Sequence, residues 1–573
     1  MADSPESMNA PKPDGGKKEL PMEARLLLAF GLMALVLFLT PYFYKQQKPQ
    51  EPLKPATPAA AVQTPAKPEA PAPAPAGQEA APALPAAAAQ KEETFVLETS
   101  VYKIVFSNRG AVVRSWILKK YPDSEGKPLE LVNGAAAGKA GYPFSLVFKG
   151  RKPSADLNSA LFVAKPSADS LGVEYEFSDG KTVCRKSFQF AKNSYLGQIS
   201  SEVTEGDAAL PHLLAWRGGF GDAAVLNAVA GQNTLYFDAA SGKLTTNGIK
   251  TAKNGPVTTS GNYPFAGLED KFFAAVFLPK SAAPFDLETF SDTVASVRAA
   301  AEEAQIGAAV GGSGTNRFSL FVGPKDLDLL RKLDPHLEQM VDFGWFWFIA
   351  KPLFLALNWV HDHVAHNYGW AIILVTVAIN TLLFPLKLTS LKSMKKMQAL
   401  QPQIAAINAR YKNIGLRDPK KADQNQEVME LYKQHGVNPM GGCMPMILQI
   451  PFFIAFYKVL SIAIELRGAP WIWWVTDLSQ PEHLAIRVLP VTMIGTQFIL
   501  QRMTPAAGGD PSQQKMMMLM PLFMGFMFYG VSSGLVLYWL TGNVIGIAQQ
   551  LLINRMTPAP VVAPPVKTQK GKK

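Results

Sequence analysis

The sequence predicts a polytopic α-helical membrane protein that carries a large all-β domain outside the membrane. Three observations support this fold class. Hydrophobic residues make up 48% of the chain and gather into a few long runs, as in membrane-spanning helices. Residues 94–322 instead alternate between apolar and polar positions in short segments divided by turn residues, which is typical of an antiparallel sandwich. Basic residues collect between particular apolar runs, as topology requires.

The N-terminal part predicts one span followed by a tether. Residues 1–23 are polar and are predicted to be a cytoplasmic segment. The run LLLAFGLMALVLFLTPYFY ends in aromatic residues and not in a small-residue cleavage site, so we expect an uncleaved signal-anchor span at 24–44. Residues 45–93 are rich in Ala and Pro and predict a semi-stiff linker that cannot form a core.

The β domain is predicted at 94–340, on the periplasmic side, with a short helix closing it. An aromatic stretch interrupted by Lys351 and His361 follows at 341–366, and it predicts an amphipathic helix lying in the membrane interface.

Four further apolar runs follow, and Ser532–Gly534 interrupts the last of them, so the chain is predicted to cross the membrane six times. The predicted segments are the second span 367–386, a cytoplasmic helical hairpin 387–437, the third span 438–464, a periplasmic loop 465–483, the fourth span 484–501, a cytoplasmic loop 502–515, the fifth span 516–531, the sixth span 535–553 and a basic tail 554–573.

The distribution of charge predicts the orientation. The hairpin is rich in Lys and Arg and the tail ends in KTQKGKK, whereas the loop 465–483 is rich in Trp and poor in Lys. The positive-inside rule therefore places both termini in the cytoplasm and the β domain outside. The same rule accounts for most of the net charge of +11, which also suits anionic lipid or ribosomal RNA.

Several signals of enzymatic chemistry are absent or misleading. Cys184 and Cys443 fall in different compartments, so no disulfide is expected. The segment GAAAGK at 134–139 lacks phosphate-loop spacing, and HDHVAH at 361–366 lies on the predicted interfacial helix. We therefore predict no enzyme activity, no metal and no cofactor.

Five segments of the C-terminal half together resemble a known family. They are VDFGWFWFIAKPLF at 341–354, FPLKLTSLKSMKKMQALQPQI at 384–404, NPMGGCMPMILQIPFFIAFY at 438–457, QQKMMMLMP at 513–521 and SGLVLYW at 533–539. Their order and spacing over about 341–556 resemble the YidC and mitochondrial oxidase-assembly insertase family. The anchor, linker and β domain resemble its Gram-negative form, which implies a place in the cell inner membrane.

The resemblance implies a core of five spans with a hydrophilic groove, open to the cytoplasm and the lipid, that inserts and folds membrane proteins. The implied partners are nascent membrane proteins, the Sec translocon, membrane lipids and the ribosome, with the protein acting alone on small clients.

The family has a basic residue in the second span, where this sequence has Asn380. Our hypothesis is that the substrate groove is kept wet without a fixed charge by Asn380, Thr376, Gln449 and Gln497. The alternative is that they form ordinary interhelical hydrogen bonds. Lys387 is expected to extend to lipid headgroups.

Two further sets of residues are candidates for substrate contact. Tyr538 and Trp539 match the family's aromatic pair against the substrate, with internal packing as the alternative. In the hairpin, the predicted contacts are Lys392, Lys395, Lys396 and Arg410, with binding to anionic lipid as the alternative.

Two other functions remain open at this point. A transporter or channel is one, although charges at bilayer depth are few and Lys458 is the deepest. An anchored periplasmic binding or scaffold protein is the other.

Overall fold

The computed structural model describes residues 86–123, 126–222, 231–280, 283–295, 302–312, 314–411, 420–436, 444–504 and 511–556. These residues belong to one compact unit, Ala81–Lys573. The predicted signal anchor, most of the predicted linker and tail, and Cys443 lie outside the described residues.

The described part of the β domain holds nineteen strands in three antiparallel sheets. The strands are β1 (Thr94–Glu98), β2 (Tyr102–Ser107), β3 (Val112–Pro122), β4 (Pro128–Glu130), β5 (Ser145–Phe148), β6 (Val163–Pro166), β7 (Gly172–Ser178), β8 (Thr182–Phe190), β9 (Leu196–Glu205), β10 (Ala208–Ala209), β11 (His212–Trp216), β12 (Asn233–Asp238), β13 (Lys243–Asn247), β14 (Val257–Gly261), β15 (Ala266–Glu269), β16 (Phe273–Pro279), β17 (Phe285–Ala295), β18 (Glu302–Gly312) and β19 (Asn316–Pro324).

The largest sheet has the order β13-β12-β15-β16-β19-β9-β8-β7-β6, with β10 paired to β9, and the others have the orders β1-β2-β3-β4 and β14-β17-β18-β11-β5. The predicted large β domain is confirmed. Its strands read as predicted because alternate residues face the core: along β8, Cys184, Lys186 and Phe188 are buried while Arg185 and Gln189 are exposed.

The centre of the β domain is aromatic. Phe144 packs against Trp116 and Trp216, with ring centroids 6.3 and 5.9 Å apart. Aromatic pairs at these spacings add to the free energy gained by burying their area. The β domain therefore depends on a few large side chains from distant strands.

A buried lysine fixes two turns around this aromatic centre. Lys186 is fully buried, and its Nζ donates to the carbonyl oxygens of Gly110 at 2.7 Å, Phe144 at 2.8 Å and Ala111 at 3.3 Å. Ala111 and Phe144 have φ angles of 48° and 69°, which non-glycine residues rarely adopt. One ammonium thus satisfies carbonyls of two strained turns.

The structure extends the β domain towards the N-terminus. Residues 86–93 belong to the segment that the sequence assigned to the linker, yet Ala87 pairs with Ser178. Glu92 bonds Arg109 and Arg114, and the Arg109 and Ser107 side chains lower the pKa of Glu92 to about 2.

The β domain contains one four-residue helix, α1 (Ala137–Ala140). All other α-helices follow the last strand. The remaining α-helices are α2 (Leu327–Leu333), α3 (Trp347–Val360), α4 (Tyr368–Leu382), α5 (Phe384–Ala399), α6 (Gln401–Arg410), α7 (Lys420–Gln434), α8 (Met444–Ile462), α9 (Val488–Met503), α10 (Pro511–Phe528) and α11 (Ser533–Met556). A π-helical turn, His361–Ala365, joins α3 to α4.

Among the described residues, α11 alone is long and apolar enough to cross a membrane as one helix. The pair α4 and α5 passes the same test together but is bent by 59°. Pro385 in the first turn of α5 accounts for the bend, since it cannot donate to the preceding turn and disfavours helical backbone before it. The count of six spans stays a prediction.

A buried ion pair joins the β domain to the loop after α8. The Arg467 guanidinium lies 2.6 Å from Asp222 and 2.7 Å from the Pro122 carbonyl oxygen. It also lies 5.2 Å from the Phe273 ring centroid. Both charged side chains are almost fully buried, so loss of either would leave an uncompensated charge.

Glu465, close to that ion pair, is held in an environment that disfavours ionisation. Its Oε2 atom is buried and accepts no hydrogen bond from the described residues. Burial raises the pKa of Glu465 to about 7, with Asp326 and Asp328 adding to the effect.

We predict that Lys186→Met lowers the free energy of unfolding of the β domain by about 2–4 kcal/mol, because buried carbonyl oxygens lose their donor. Arg185→Met is the matched control on β8, since Arg185 is exposed, and should change stability by less than about 0.5 kcal/mol. Denaturant titration of the full protein in detergent, read by proteolysis of the β domain, measures both. Equal midpoints for the two variants would contradict the role given to Lys186.

We also predict a pH dependence that Glu465→Gln removes. As pH rises from about 4.5 to 7, the unfolded carboxyl ionises while the folded one keeps its proton, so wild-type stability falls by on the order of 3 kcal/mol and then stays constant. The variant should therefore match wild type at pH 4.5 and exceed it at pH 8 in thermal unfolding. Glu303→Gln, at an exposed position, should follow wild type at both pH values.

Candidate functional site

Polar side chains cluster at the bend between α4 and α5. Asn380, in the last turns of α4, is buried. Its Nδ2 donates to the Thr376 carbonyl oxygen at 2.9 Å, and its Oδ1 accepts from Lys387 Nζ at 2.7 Å. The 59° bend makes the contact between Lys387 and Asn380 possible, because it directs the start of α5 back towards the end of α4. Lys387 is half-buried and points inward to Asn380, so the expectation that it extends to lipid headgroups is wrong.

The same cluster reaches α11. Gln549 Nε2 donates to the backbone oxygen of Asn380 at 3.2 Å, and Lys395 Nζ donates to the Ile553 oxygen at 3.1 Å. Helix α11 therefore holds the bend on both sides of Pro385. We use the term "bend cluster" for Asn380, Lys387 and Gln549.

Thr376 lies one turn before Asn380 but contributes differently. It is fully buried, and its hydroxyl donates to the Ile372 carbonyl oxygen of its own helix at 2.6 Å. The hydroxyl of a threonine bonded in this way has its hydrogen-bond partner within its own helix. Thr376 therefore occupies a packing position beside the bend cluster.

The remaining candidates lie around α8, α9 and α11. Trp539 Nε1 donates to Gln497 Oε1 at 3.3 Å, which joins α11 to α9. Tyr538 is buried and its ring stacks on Phe456 with centroids 4.5 Å apart. Trp539 packs edge-on against Phe453 at 4.8 Å.

These contacts form an aromatic cluster between α8 and α11, in which Tyr538 is enclosed and Trp539 is half-buried. Gln449, near the start of α8, is exposed and forms no hydrogen bond with the other candidates within the described residues. The structure thus joins Asn380 to Thr376 and Gln497 to Trp539, and leaves Gln449 apart.

The sequence reasoning missed the polar residues of α11. Asn543 is buried, and its Nδ2 lies 3.3 Å from both the Met493 oxygen and Thr496 Oγ1 of α9. Gln550 is buried and bonds Asn554. Amides inside a predicted span are rare and informative, and that signal would have found Asn543, Gln549 and Gln550.

The cationic candidates lie on a small helical unit of their own. Helices α5, α6 and α7 pack around Met397, Leu400, Ile404 and Tyr432. Arg410 lies 2.5 Å from Glu427 and so ties α6 to α7. Lys392 and Lys396 are partly exposed, whereas Lys395 is bonded to α11.

The described residues offer no group of three or more His, Cys, Asp or Glu side chains that could hold a metal ion. His361 stacks on Tyr368 with ring centroids 3.8 Å apart, and His363 stacks on Trp359. His361 and His363 are therefore engaged in ring contacts at the junction of α3 and α4.

The fold and the site define a class of protein: a helical membrane core with an internal polar cluster and a large appended β domain. Comparisons with known proteins agree in both halves. The family model for the YidC periplasmic domain matches residues 94–356, and that for the 60Kd inner membrane protein matches residues 359–560.

Curated relatives match along nearly the whole chain. The membrane protein insertase YidC of Pelobacter propionicus is 34% identical over 566 residues, which cover 93% of this chain and 99% of that protein. That of Geotalea daltonii is 34% identical over 562 residues, covering 94% and 100%. A crystal structure of an active YidC insertase with its first transmembrane domain resolved covers 81% of this chain and 93% of its own, at 19% identity and a TM-score of 0.35, and this structural overlap adds nothing to the assignment.

The chain belongs to the YidC family of membrane protein insertases. Its relatives are inner-membrane proteins with a periplasmic domain, and insertion is a non-covalent process, so the protein is not an enzyme. The comparisons give no support to a transporter or channel.

We predict that Asn380→Leu destabilises the helical core by about 1–3 kcal/mol, because Lys387 loses its buried acceptor. Thr376→Val should cost less than about 1 kcal/mol, since the Thr376 hydroxyl bonds only its own helix. Thermal unfolding of the detergent-solubilised protein measures the difference. Similar losses of stability for both variants would mean that the Asn380–Lys387 hydrogen bond stabilises the core no more than the hydrogen bond of Thr376 within its own helix.

Proposed function

We propose that this protein inserts and folds integral membrane proteins along a hydrophilic groove that runs past the bend cluster. The observation that carries this proposal is the placement of an ammonium and two amides at the bend where the apolar helix α4 meets α5. A polar tail crosses about 30 Å of hydrocarbon only if its polar groups find partners on the way. Polar groups held inside the core shorten the dry part of that path.

The aromatic cluster would supply the apolar side of the same path. The ring of Trp539 is half-buried beside Gln497, so an incoming helix could slide over an aromatic face while its polar groups meet the amide. Gln449 and Thr376 are assigned lesser parts, because one lies apart and the other is fully buried.

We further propose the topology that the charges favour: six spans, of which five form the core, both termini in the cytoplasm and the β domain in the periplasm. The α5–α7 hairpin would then receive clients in the cytoplasm through Lys392, Lys396 and Arg410. Nascent membrane proteins are the clients, and the Sec translocon and the ribosome are the partners that this arrangement suits.

Photo-cross-linking tests the path directly. A probe at Gln497 should form an adduct with a ribosome-stalled, single-span nascent chain in membranes, because Gln497 borders the proposed path. The adduct should disappear when the hydrophobic segment of the client is deleted.

Phe526 provides the matched control probe, since it lies on α10 with 86% of its surface exposed. An adduct of equal yield from Phe526 would indicate random lipid-side encounter and would contradict a defined path. Absence of an adduct from Gln497, with insertion still proceeding, would place the path elsewhere.

A further inference from the structure

A cavity lies where the loop after α8 meets the β domain. Its volume is about 220 Å³, far more than the roughly 10–15 Å³ that one water molecule needs. One wall is formed by the end of β3 and the other by the loop, and the polar lining residues are Lys120, Asp123, Glu465, Arg467, Asp477 and Gln480. Lys120 and Gly468 are exposed whereas Ile464 is buried, so the cavity is open at one end and closed at the other.

Two opposite charges in this cavity have no ionic partner. Within the described part of the chain, neither Lys120 nor Asp477 forms an ion pair. The Asp477 carboxylate accepts a hydrogen bond from the Ser479 backbone nitrogen at 2.7 Å, which leaves its charge uncompensated. Lys120 belongs to the β domain and Asp477 to the loop, so the cavity offers a cation on one wall and a carboxylate on the other.

Two buried polar atoms of the lining residues also lack partners. Glu465 Oε2 and Arg467 Nε are closed to solvent and form no hydrogen bond with the described residues, although the same guanidinium pairs with Asp222. Only 5% of the Arg467 side chain is exposed. Buried polar atoms usually have a partner, so two that lack one beside the same cavity point to a ligand. Lys120 and Asp477 would meet that ligand first, and the two covered atoms would join after a shift of their side chains.

These donors and acceptors are complementary to a zwitterion that carries a phosphate and a primary ammonium. Phosphate oxygens accept charge-assisted hydrogen bonds from an ammonium or a guanidinium, which suits Lys120 and Arg467. A primary ammonium has three donors, which suits Asp477 and Glu465, and its charge would favour the ionised form of Glu465. A metal ion would be repelled by the two cations, and the described residues hold no group of three or more metal-binding side chains.

The surroundings of the cavity favour a lipid as the source of this zwitterion. The loop joins the apolar helices α8 and α9, and it carries Trp473, which is 95% exposed, four residues before Asp477. Exposed tryptophans at the ends of membrane helices lie at the level of the lipid headgroups. The open end of the cavity is therefore expected at the same level.

We propose that this cavity binds the phosphoethanolamine headgroup of a membrane lipid, with the phosphate at Lys120 and Arg467 and the ammonium at Asp477 and Glu465. The site is separate from the bend cluster and goes beyond the proposed insertase function. Because its two walls come from the β domain and the loop, a bound headgroup would fix the β domain against the membrane surface. Binding forms ion pairs and hydrogen bonds only, with no covalent step.

The test measures lipid binding to the full-length protein in detergent, by native mass spectrometry during titration with short-chain phosphatidylethanolamine. Lys120→Met and Asp477→Asn should each weaken binding by about tenfold, equivalent to about 1.4 kcal/mol. Asparagine keeps the oxygen that accepts from the backbone, so only the charge is lost. The matched controls Lys103→Met and Asp207→Asn remove the same charges from exposed positions outside the cavity and should bind the lipid as the wild type does.

Three further ligands separate the chemistry of the headgroup from its source. Phosphatidylcholine has no N–H donor and phosphatidylglycerol has no cation, so both should bind the wild-type protein more weakly than phosphatidylethanolamine. Equal binding of either one would overturn recognition of the ammonium. Unchanged binding in Lys120→Met or in Asp477→Asn would overturn the site. Free phosphoethanolamine that bound as tightly as the lipid would identify a soluble ligand and overturn the lipid source. Each of these outcomes is independent of whether the protein inserts a client.

Discussion

The helical core is organised by the need to satisfy each polar group where water is scarce. In hydrocarbon an unpaired amide or ammonium costs several kcal/mol, so each polar side chain introduced into these helices dictates a neighbour. Asn543 forms a hydrogen bond from α11 to α9, and Gln549 forms one from α11 to the end of α4. Lys387 forms one to Asn380 across the bend. Helices α4 and α11 are otherwise mostly apolar, so these bonds are directional contacts within packing that is largely non-directional.

The loop after α8 links the helical core to the β domain. Through Arg467 it contacts Asp222 and Pro122 of the β domain. Through its backbone it caps α11, since Ser533 and Gly534 donate to the oxygens of Gln480 and Leu478 at 2.8 and 2.9 Å. One segment thereby couples the β domain to the N-terminus of the helix that carries much of the polar cluster. The ends of α11 are fixed by two different parts of the chain, the loop at one end and Lys395 at the other.

The sequence predicted the architecture better than the site. Alternation along short segments identified the β domain, because alternation is a local signal, whereas the bounds and the number of the spans stay predictions. Hydropathy could not reveal that Lys387 points inward, since the direction of its side chain depends on the 59° bend at Pro385. Nor could it tell that Tyr538 is enclosed by Phe453 and Phe456, because partners more than eighty residues away decide its burial. Residues 86–93 looked like linker by composition, yet Ala87 pairs with Ser178 of the β domain.

A neutral partner for the cation at the bend has an energetic consequence. A permanent ion pair with a carboxylate would neutralise the cation, and an ammonium without an acceptor would carry a large desolvation penalty in this partly buried site. The amide oxygen of Asn380 lies between these extremes, because it accepts a hydrogen bond from Lys387 without cancelling the positive charge. The bend therefore keeps a cation that α4 holds in place and that still carries its charge.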